Sequence, residues 1–158
     1  MISTFPQRGF TLIELMVVML VIAIVTGGAL TSYFKFNESQ VIANDARQLV
    51  GEISRVRALA ASLQYPSGCT GFKGVNIKSD VAKTGVTVTS QCTSGNYSEV
   101  KTGLLKSSTF TQAFDITFLP GSGYSSTGSD VSIVISDYKA VPNTKTVSVA
   151  NYGLISVQ

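Results

Sequence analysis

The chain has 158 residues, a length that suits one domain together with a membrane segment. Of these residues, 44% are hydrophobic and 13% are charged. Its net charge of +3 is too small to indicate a nucleic-acid partner by itself. It contains no histidine and only two cysteines, which disfavours histidine-dependent nucleophiles and zinc sites. We therefore expect a protein that is not an enzyme and that needs no cofactor.

An apolar run near the amino terminus follows Arg8 and Gly9 and contains a single acid, Glu14. The 21 positions from Phe10 to Leu30 would form a helix about 32 Å long, close to the roughly 30 Å hydrocarbon core of a bilayer. Arg8 predicts that the start of this run is cytoplasmic, because cytoplasmic flanks carry basic residues. The run therefore predicts one membrane span, with the rest of the chain on the opposite side.

Two ordinary interpretations compete for this run. A cleaved secretory signal peptide would have its apolar core at Leu15–Val25 and would end at the small residues Thr26–Ala29. A plain one-pass anchor needs only the length. Neither explains Glu14, because a carboxylate opposes insertion by roughly 2.5–3.5 kcal/mol at the centre of a span and by less near its end. A charge in this position indicates a function.

The combination of Gly9, Phe10, Glu14 and an uninterrupted apolar tail resembles the prepilin signal of type IV pilins and pseudopilins. The resemblance implies cleavage between Gly9 and Phe10, N-methylation of Phe10 and a role for Glu14 in assembly. Glu14 would compensate the new ammonium of Phe10 in its own chain or in a neighbour, and in the family it is thought to register the next subunit. One departure is Gly27–Gly28, where many pilins carry a proline.

The same resemblance implies partners and a location. The partners would be other pilin or pseudopilin subunits, the prepilin peptidase, the inner-membrane assembly platform and membrane lipid. The chain would cross the inner membrane once, with its head periplasmic or extracellular, until it enters a pilus or pseudopilus. Pilus, secretion and competence fibres share this assembly chemistry, so the sequence leaves all three open.

A helical pattern continues over residues 38–63, where apolar residues recur at spacings of four and three. This stripe should pack on the sheet that follows, and Pro66–Gly68 should end the helix. Arg47, Arg55 and Arg57 lie off the stripe and are expected on a solvated face. The stripe consists of Ile42, Ala46, Leu49, Ile53, Val56, Ala60 and Leu63.

Beyond Pro66 an alternating pattern replaces the helical one, and short strands joined by tight turns predict a mostly antiparallel sheet. The fold class is therefore α+β, a long N-terminal helix with a membrane-spanning first half and an amphipathic second half packed on a β-sheet head. We expect a leader at 1–9, a transmembrane and assembly helix at 10–30, its amphipathic continuation at 31–65 and the head at 66–158. The strand candidates are Phe72–Lys78, Val86–Gln91, Phe114–Leu119, Val131–Ser136, Lys145–Ala150 and Leu154–Val157, with a less regular one at Leu104–Phe110.

The two cysteines, Cys69 and Cys92, lie early in the head. An even number of cysteines in an exported chain indicates a disulfide. The bond would close a loop of about 23 residues and contribute on the order of 3 kcal/mol by the chain-entropy model.

Within the family, the head most resembles minor pilins and pseudopilins of the GspH/FimT type, on its length, its strand density and a closing strand at Tyr152–Val157. Some minor pilins of this type bind DNA during natural transformation, which makes DNA an alternative partner. Seven lysines and five acids give the head a net charge of +2, and clustering of the lysines on one face would favour DNA over plain solubility. Some pseudopilins bind calcium, but Asp115, Asp130 and Asp137 fit no calcium-loop spacing, so no metal is expected.

Overall fold

The computed structural model describes residues 11–139 and 142–158. Two compact units follow one another along the chain: the first ends at Glu38, and the second comprises Ser39–Gln158. One helix, α1 (Leu12–Ala61), contributes to both units. In the described residues the first unit is therefore helical, whereas the second combines the end of the helix with the strands.

The helix of the first unit begins with a capped turn. The Glu14 N–H donates to the hydroxyl oxygen of Thr11 at 3.3 Å and to its carbonyl oxygen at 3.1 Å. These bonds satisfy one of the first N–H groups, which have no acceptor inside the helix. The helix then runs through Gly27 and Gly28 without a break. Its most apolar window of 18 residues has a mean hydropathy of 2.5, so the helix is long and apolar enough to cross a membrane.

The second unit uses the remainder of α1 as one wall of its core. The predicted stripe is confirmed from Ile42 to Ala60, because its side chains are at most 3% exposed. Spacings of four and three place these residues on one face of the helix. Full burial of one Leu, Ile or Val side chain stabilises a fold by about 1.5–3 kcal/mol. This face therefore fixes where the head packs on the helix.

The helix ends at Ala61, earlier than Pro66–Gly68 predicts. Leu63 adopts a left-handed conformation with φ of 56°. The Gln64 N–H donates to the Leu59 carbonyl oxygen at 2.9 Å, and the Leu63 N–H donates to the Ala60 carbonyl oxygen at 3.3 Å. This pair of bonds is the Schellman arrangement that closes many helices, usually with glycine in the left-handed position. Leu63 is 51% exposed, so its prediction as a stripe residue is wrong.

The head contains two four-stranded sheets, in which the pairings between described strands are antiparallel. The antiparallel prediction is confirmed, but the single sheet is replaced by two, with strand orders β3-β2-β1-β5 and β4-β6-β7-β8. The sequence candidates correspond to seven of these strands and miss β3. The strands are β1 (Phe72–Ser79), β2 (Val86–Cys92), β3 (Gly95–Lys101), β4 (Ser108–Phe110), β5 (Asp115–Phe118), β6 (Val131–Asp137), β7 (Thr144–Val149) and β8 (Ile155–Val157).

Both sheets share one hydrophobic core with the helix stripe. Alternate residues of each strand point to the same face, so a strand such as β7 buries Val147 and Val149 while Ser148 between them stays partly exposed. The first sheet contributes Ile116 and Phe118 of β5 in the same way, and the second also contributes Ile135 of β6. The core therefore depends on α1 and on both sheets.

An acidic residue beside the stripe, Asp45, is buried at 3% exposure. Its carboxylate accepts hydrogen bonds from the Lys106 N–H at 3.3 Å, the Ser107 N–H at 2.9 Å and the Ser108 hydroxyl at 2.7 Å. Three donors compensate the cost of taking a carboxylate out of water. Asp45 thereby ties the segment between β3 and β4 to the helix.

A second acid, Glu52, is 7% exposed and forms the centre of an ion network. Its carboxylate lies 2.6 Å from a guanidinium nitrogen of Arg55 and 2.9 Å from Nζ of Lys101, and Arg55 also reaches Glu99 at 3.2 Å. Burial alone raises the pKa of Glu52, but hydrogen bonds from Arg55 and Lys101 and their charges bring that pKa below its usual value. The hydrogen bond to Glu52 raises the pKa of Arg55.

The three arginines of the helix have different surroundings, which corrects the prediction of one solvated face. Arg47 is exposed and donates to the Asn44 side-chain oxygen at 2.8 Å. Arg57 is partly buried, and its Nε donates to the Gly123 carbonyl oxygen at 3.3 Å. A Cβ atom at Gly153 would collide with the Arg57 side chain and with the Gly123 carbonyl oxygen, and φ there is 86°, so the position favours glycine.

The ion network predicts a pH-dependent stability. Because the folded pKa of Glu52 is below its usual value near 4.5, its contribution is present above that value and is lost as pH falls through the lowered folded pKa. Full-length protein in detergent should therefore show a difference in Tm between wild type and Glu52→Gln that shrinks below about pH 4.5. Thermal denaturation followed by circular dichroism measures it. Glu99→Gln, at the exposed end of the network, should change the pH profile less. A difference in Tm that stays constant with pH would contradict the role given to Glu52.

Candidate assembly site

Two residues of the expected processing site, Gly9 and Phe10, lie outside the described residues. Cleavage after Gly9 and methylation of Phe10 therefore stay predictions. The structure describes the chain from Thr11, one residue beyond the expected cut.

Glu14, the predicted assembly residue, lies in the first turn of α1 and its side chain is exposed. A carboxylate at this position interacts favourably with the positive end of the helix dipole. The sequence Thr-Leu-Ile-Glu from Thr11 to Glu14 also fits the capping-box pattern, in which a threonine caps the helix and a glutamate follows three residues later. The Thr11 cap and the place of Glu14 in the first turn connect this residue with helix initiation as well as with its predicted role in assembly, and the capping pattern is visible in the sequence.

On both sides of Glu14 in the sequence, the helix has an exposed apolar surface. The large apolar side chains from Leu12 to Val25 are 47–77% exposed. Gly27 adds an open position, because a Cβ atom placed on it would have nothing within 4 Å. The Thr26 hydroxyl donates to the Ile22 carbonyl oxygen at 2.7 Å, which satisfies this polar group inside the helix. Such a surface is suited to lipid or to other apolar helices.

Aromatic residues follow this surface. Tyr33, Phe34 and Phe36, here called the aromatic group, are 64%, 59% and 63% exposed. The rings of Tyr33 and Phe34 meet edge to face with centroids 6.1 Å apart. Tyrosine and tryptophan are enriched where a transmembrane helix leaves the hydrocarbon core. The aromatic group lies beyond Leu30, where the expected membrane run ends, although three aromatic residues within four positions are visible in the sequence.

In the head, the predicted disulfide joins Cys69 and Cys92. Their Cα atoms are 5.5 Å apart, within the normal range. Cys69 lies in the segment that follows the helix, and Cys92 ends β2. The Ser94 hydroxyl donates to the Gly68 carbonyl oxygen at 2.9 Å beside the bond. The disulfide therefore fastens the segment after α1 to the β2–β3 hairpin.

The lysines of the head are distributed over different elements. Lys73 and Lys78 lie on β1, Lys101 lies on β3 and Lys145 lies on β7 of the other sheet. Lys101 is engaged with Glu52. The structure therefore does not bring the seven lysines together on one strand or one sheet.

The acids considered for calcium are also separate. Asp115 accepts a hydrogen bond from the side chain of Asn76, and Asp130 accepts one from the Asn151 N–H at 3.0 Å. Asp137 accepts from the N–H of Asn143 at 3.1 Å. Within residues 11–139 and 142–158, no group of three or more His, Cys, Asp or Glu side chains is placed to hold a metal ion.

Comparison with known proteins supports the interpretation of the amino-terminal segment. The family described as the prokaryotic N-terminal methylation motif matches residues 5–30. No curated protein matches the chain, and no solved structure matches it. The matched segment contains Gly9, Phe10, Glu14 and the exposed apolar part of α1. The match supports assignment of the chain to the type IV pilin and pseudopilin family, as a pilin-like precursor that carries its N-terminal methylation motif.

Proposed function

We propose that the chain is a structural subunit of a type IV pilus or of a type II secretion pseudopilus, and that it has no enzymatic role. The observation that carries this proposal is an exposed apolar helix with one carboxylate in its first turn, inside a matched methylation motif. In this proposal the prepilin peptidase cuts after Gly9, Phe10 is methylated, and the inner-membrane platform assembles the mature chain with other pilin subunits.

The proposed assembly step exchanges one apolar environment for another. In the membrane, lipid covers the side chains from Leu12 to Val25, and in the fibre the helices of neighbouring subunits cover them. Apolar contact makes little difference in free energy between the membrane and the fibre, because lipid tails are as apolar as the side chains. A charge pair formed only in the fibre makes a large difference, because an unpaired charge away from water has a high free energy. Glu14 and the ammonium of Phe10 would form such a pair between adjacent subunits.

The proposed organisation has a leader at 1–9, an assembly helix at 10–30, its continuation at 31–65 and a head at 66–158 that is periplasmic or extracellular. The exposed aromatic group supports placing one membrane–water interface, the one on the same side as the head, at residues 33–36. The distance from Leu12 to Tyr33 along a helix is about 32 Å, which fits a hydrocarbon core of roughly 30 Å. DNA binding by a minor pilin stays the alternative, and the lysines that lie on strands are divided between the two sheets.

Processing should depend on the size of residue 9. Gly9 has no side chain, so Gly9→Ala should be cut poorly and Gly9→Leu should remain uncut. Intact-mass measurement of the membrane fraction should find a wild-type chain that begins at Phe10 and carries one added methyl group. Thr4→Ala, in the leader, is the matched control and should be cut normally. A mature chain that begins at Ala29 or later would instead indicate an ordinary signal peptide.

Assembly should depend on the charge of Glu14 rather than on its capping role. Glu14→Gln should insert and be cleaved normally, but its share in the sheared-fibre fraction should fall by at least about tenfold, because the paired charge is lost. Thr11→Ala removes the cap at a cost of about 1 kcal/mol of helix stability and keeps the charge. It should enter fibres nearly as well as wild type. Quantitative mass spectrometry of membrane and fibre fractions measures both variants. Equal losses in the two variants would show that Glu14 acts through helix initiation.

The aromatic group should lie at the membrane interface. The chain has no tryptophan, so Phe34→Trp and the control Leu20→Trp each provide a single fluorescent reporter. In vesicles, lipids brominated near the head group should quench the Phe34→Trp signal most, and lipids brominated near the chain ends should quench the Leu20→Trp signal most. The reverse order, or a Phe34→Trp signal that no lipid quenches, would place the interface elsewhere.

A further inference from the structure

A cleft in the head lies between the end of α1 and the β2–β3 hairpin. It has a volume of about 350 Å³, which falls in the usual range for small-molecule sites. We call it the tyrosine cleft. The proposal below depends on six of its lining side chains. They are Leu59, Gln64, Tyr65, Val88, Tyr97 and Glu99.

The tyrosine cleft combines an apolar base with aromatic and polar groups. Val88 is 4% exposed, and Leu59 packs against the hydrophobic core. Tyr65 and Tyr97 remain 52% and 37% exposed, and the Tyr65 ring also packs on Phe72. Gln64 and Glu99 add an amide and a carboxylate to the lining. Aromatic rings beside a few hydrogen-bonding groups are the typical lining of a ligand site.

The walls of the tyrosine cleft are held in place before any ligand arrives. The Tyr65 ring packs on Phe72 with centroids 5.2 Å apart. A Cβ atom on Gly68 would lie 3.2 Å from the Tyr97 hydroxyl oxygen, so the absent side chain makes room for this tyrosine. The Cys69–Cys92 disulfide fastens the segment that carries Gly68 to the hairpin that carries Tyr97. A preorganised site binds with a smaller entropy cost.

The charges beside the tyrosine cleft favour a neutral ligand. Glu99 contacts Arg55 at 3.2 Å, and Arg55 and Lys101 both pair with Glu52. Two carboxylates and two cations leave this network without net charge. An anionic ligand would therefore meet a carboxylate, and a cationic ligand would compete with Arg55 for it. A neutral ligand with hydroxyl groups can donate to Glu99 without breaking the ion pair, because a carboxylate accepts several hydrogen bonds.

We propose that the tyrosine cleft binds a neutral saccharide, specifically an N-acetylhexosamine unit of a polysaccharide. The apolar face of a pyranose ring can stack on Tyr65 or Tyr97, and the sugar hydroxyls can bond to Gln64 and Glu99. An acetamido methyl group can pack on the apolar side chains of Leu59 and Val88, which line the cleft. This site lies entirely within the second compact unit, Ser39–Gln158, so it goes beyond the proposed structural role and does not depend on fibre assembly.

Isothermal titration calorimetry with triacetylchitotriose tests the proposal on the full chain in a detergent without a sugar head group. Wild type should bind one trisaccharide with a Kd of about 1 mM or tighter. Tyr97→Ala should weaken binding at least about tenfold, because it removes one wall of the cleft. Tyr97→Phe, which keeps the ring, should bind within about threefold of wild type. Tyr138→Ala is the matched control, because Tyr138 is exposed and does not line the cleft.

Reduction of the disulfide adds a second readout, because it should weaken binding by about threefold or more if it holds the walls in place. Circular dichroism should confirm that each variant retains its strands. The proposal is overturned by an absence of binding at millimolar trisaccharide, or by equal affinities of wild type and a folded Tyr97→Ala variant. Saturable binding of a proline-rich peptide without binding of the trisaccharide would also overturn it and would identify a peptide groove.

Discussion

The first half of α1 carries an exposed apolar surface, and this constraint shapes the rest of the protein. Leu12 and Leu20 are 77% and 61% exposed, whereas Leu49 in the same helix is fully buried. An apolar surface of this length is unfavourable in water, so it requires lipid or other helices. The chain therefore cannot be understood as an isolated globular domain. Membrane insertion and assembly are two ways of satisfying the same requirement.

The second half of α1 has a different structural role, because it packs with both sheets in one hydrophobic core. Its stripe supplies the apolar contact, and two buried acids supply directional bonds. Asp45 orders the segment before β4, and Glu52 connects the helix to β3 through Lys101. Removing one partner of such a buried interaction lowers the stability of the fold, since it leaves a buried charge without compensation. These contacts give the head a defined attachment to the helix, which an apolar stripe alone would specify less well.

The sequence was sufficient to predict the processing motif, the helix stripe, the disulfide and most strands, because each has a local pattern. It was insufficient for β3, whose residues are exposed apart from Lys101 and therefore show no alternation of apolar and polar side chains. It did not reveal two sheets, because alternation reports a buried face but not which strands pair.

Other misses concern the helix itself. Asp45 and Glu52 flank the stripe at helical spacing, so the buried arc is wider than the apolar one, and only tertiary contacts make their burial tolerable. The end of the helix was misplaced because Leu63 occupies a left-handed position that glycine usually marks. The predicted membrane run ends before the aromatic group because hydropathy alone defined its end. Its pattern was visible in the sequence, unlike the contacts of Asp45 and Glu52.

The central claim is that the exposed half of α1 exchanges lipid for neighbouring helices on assembly. A photo-crosslinking benzoylphenylalanine at the position of Leu20 tests it most directly, with Gln48, an exposed position of α1 in the second compact unit, as control. Leu20 should crosslink lipid in the membrane fraction, and in the fibre fraction it should crosslink other chains that carry the N-terminal methylation motif. Gln48 should crosslink no lipid. If Leu20 crosslinked only its own head, or crosslinked neither lipid nor another subunit in either fraction, the account would be wrong.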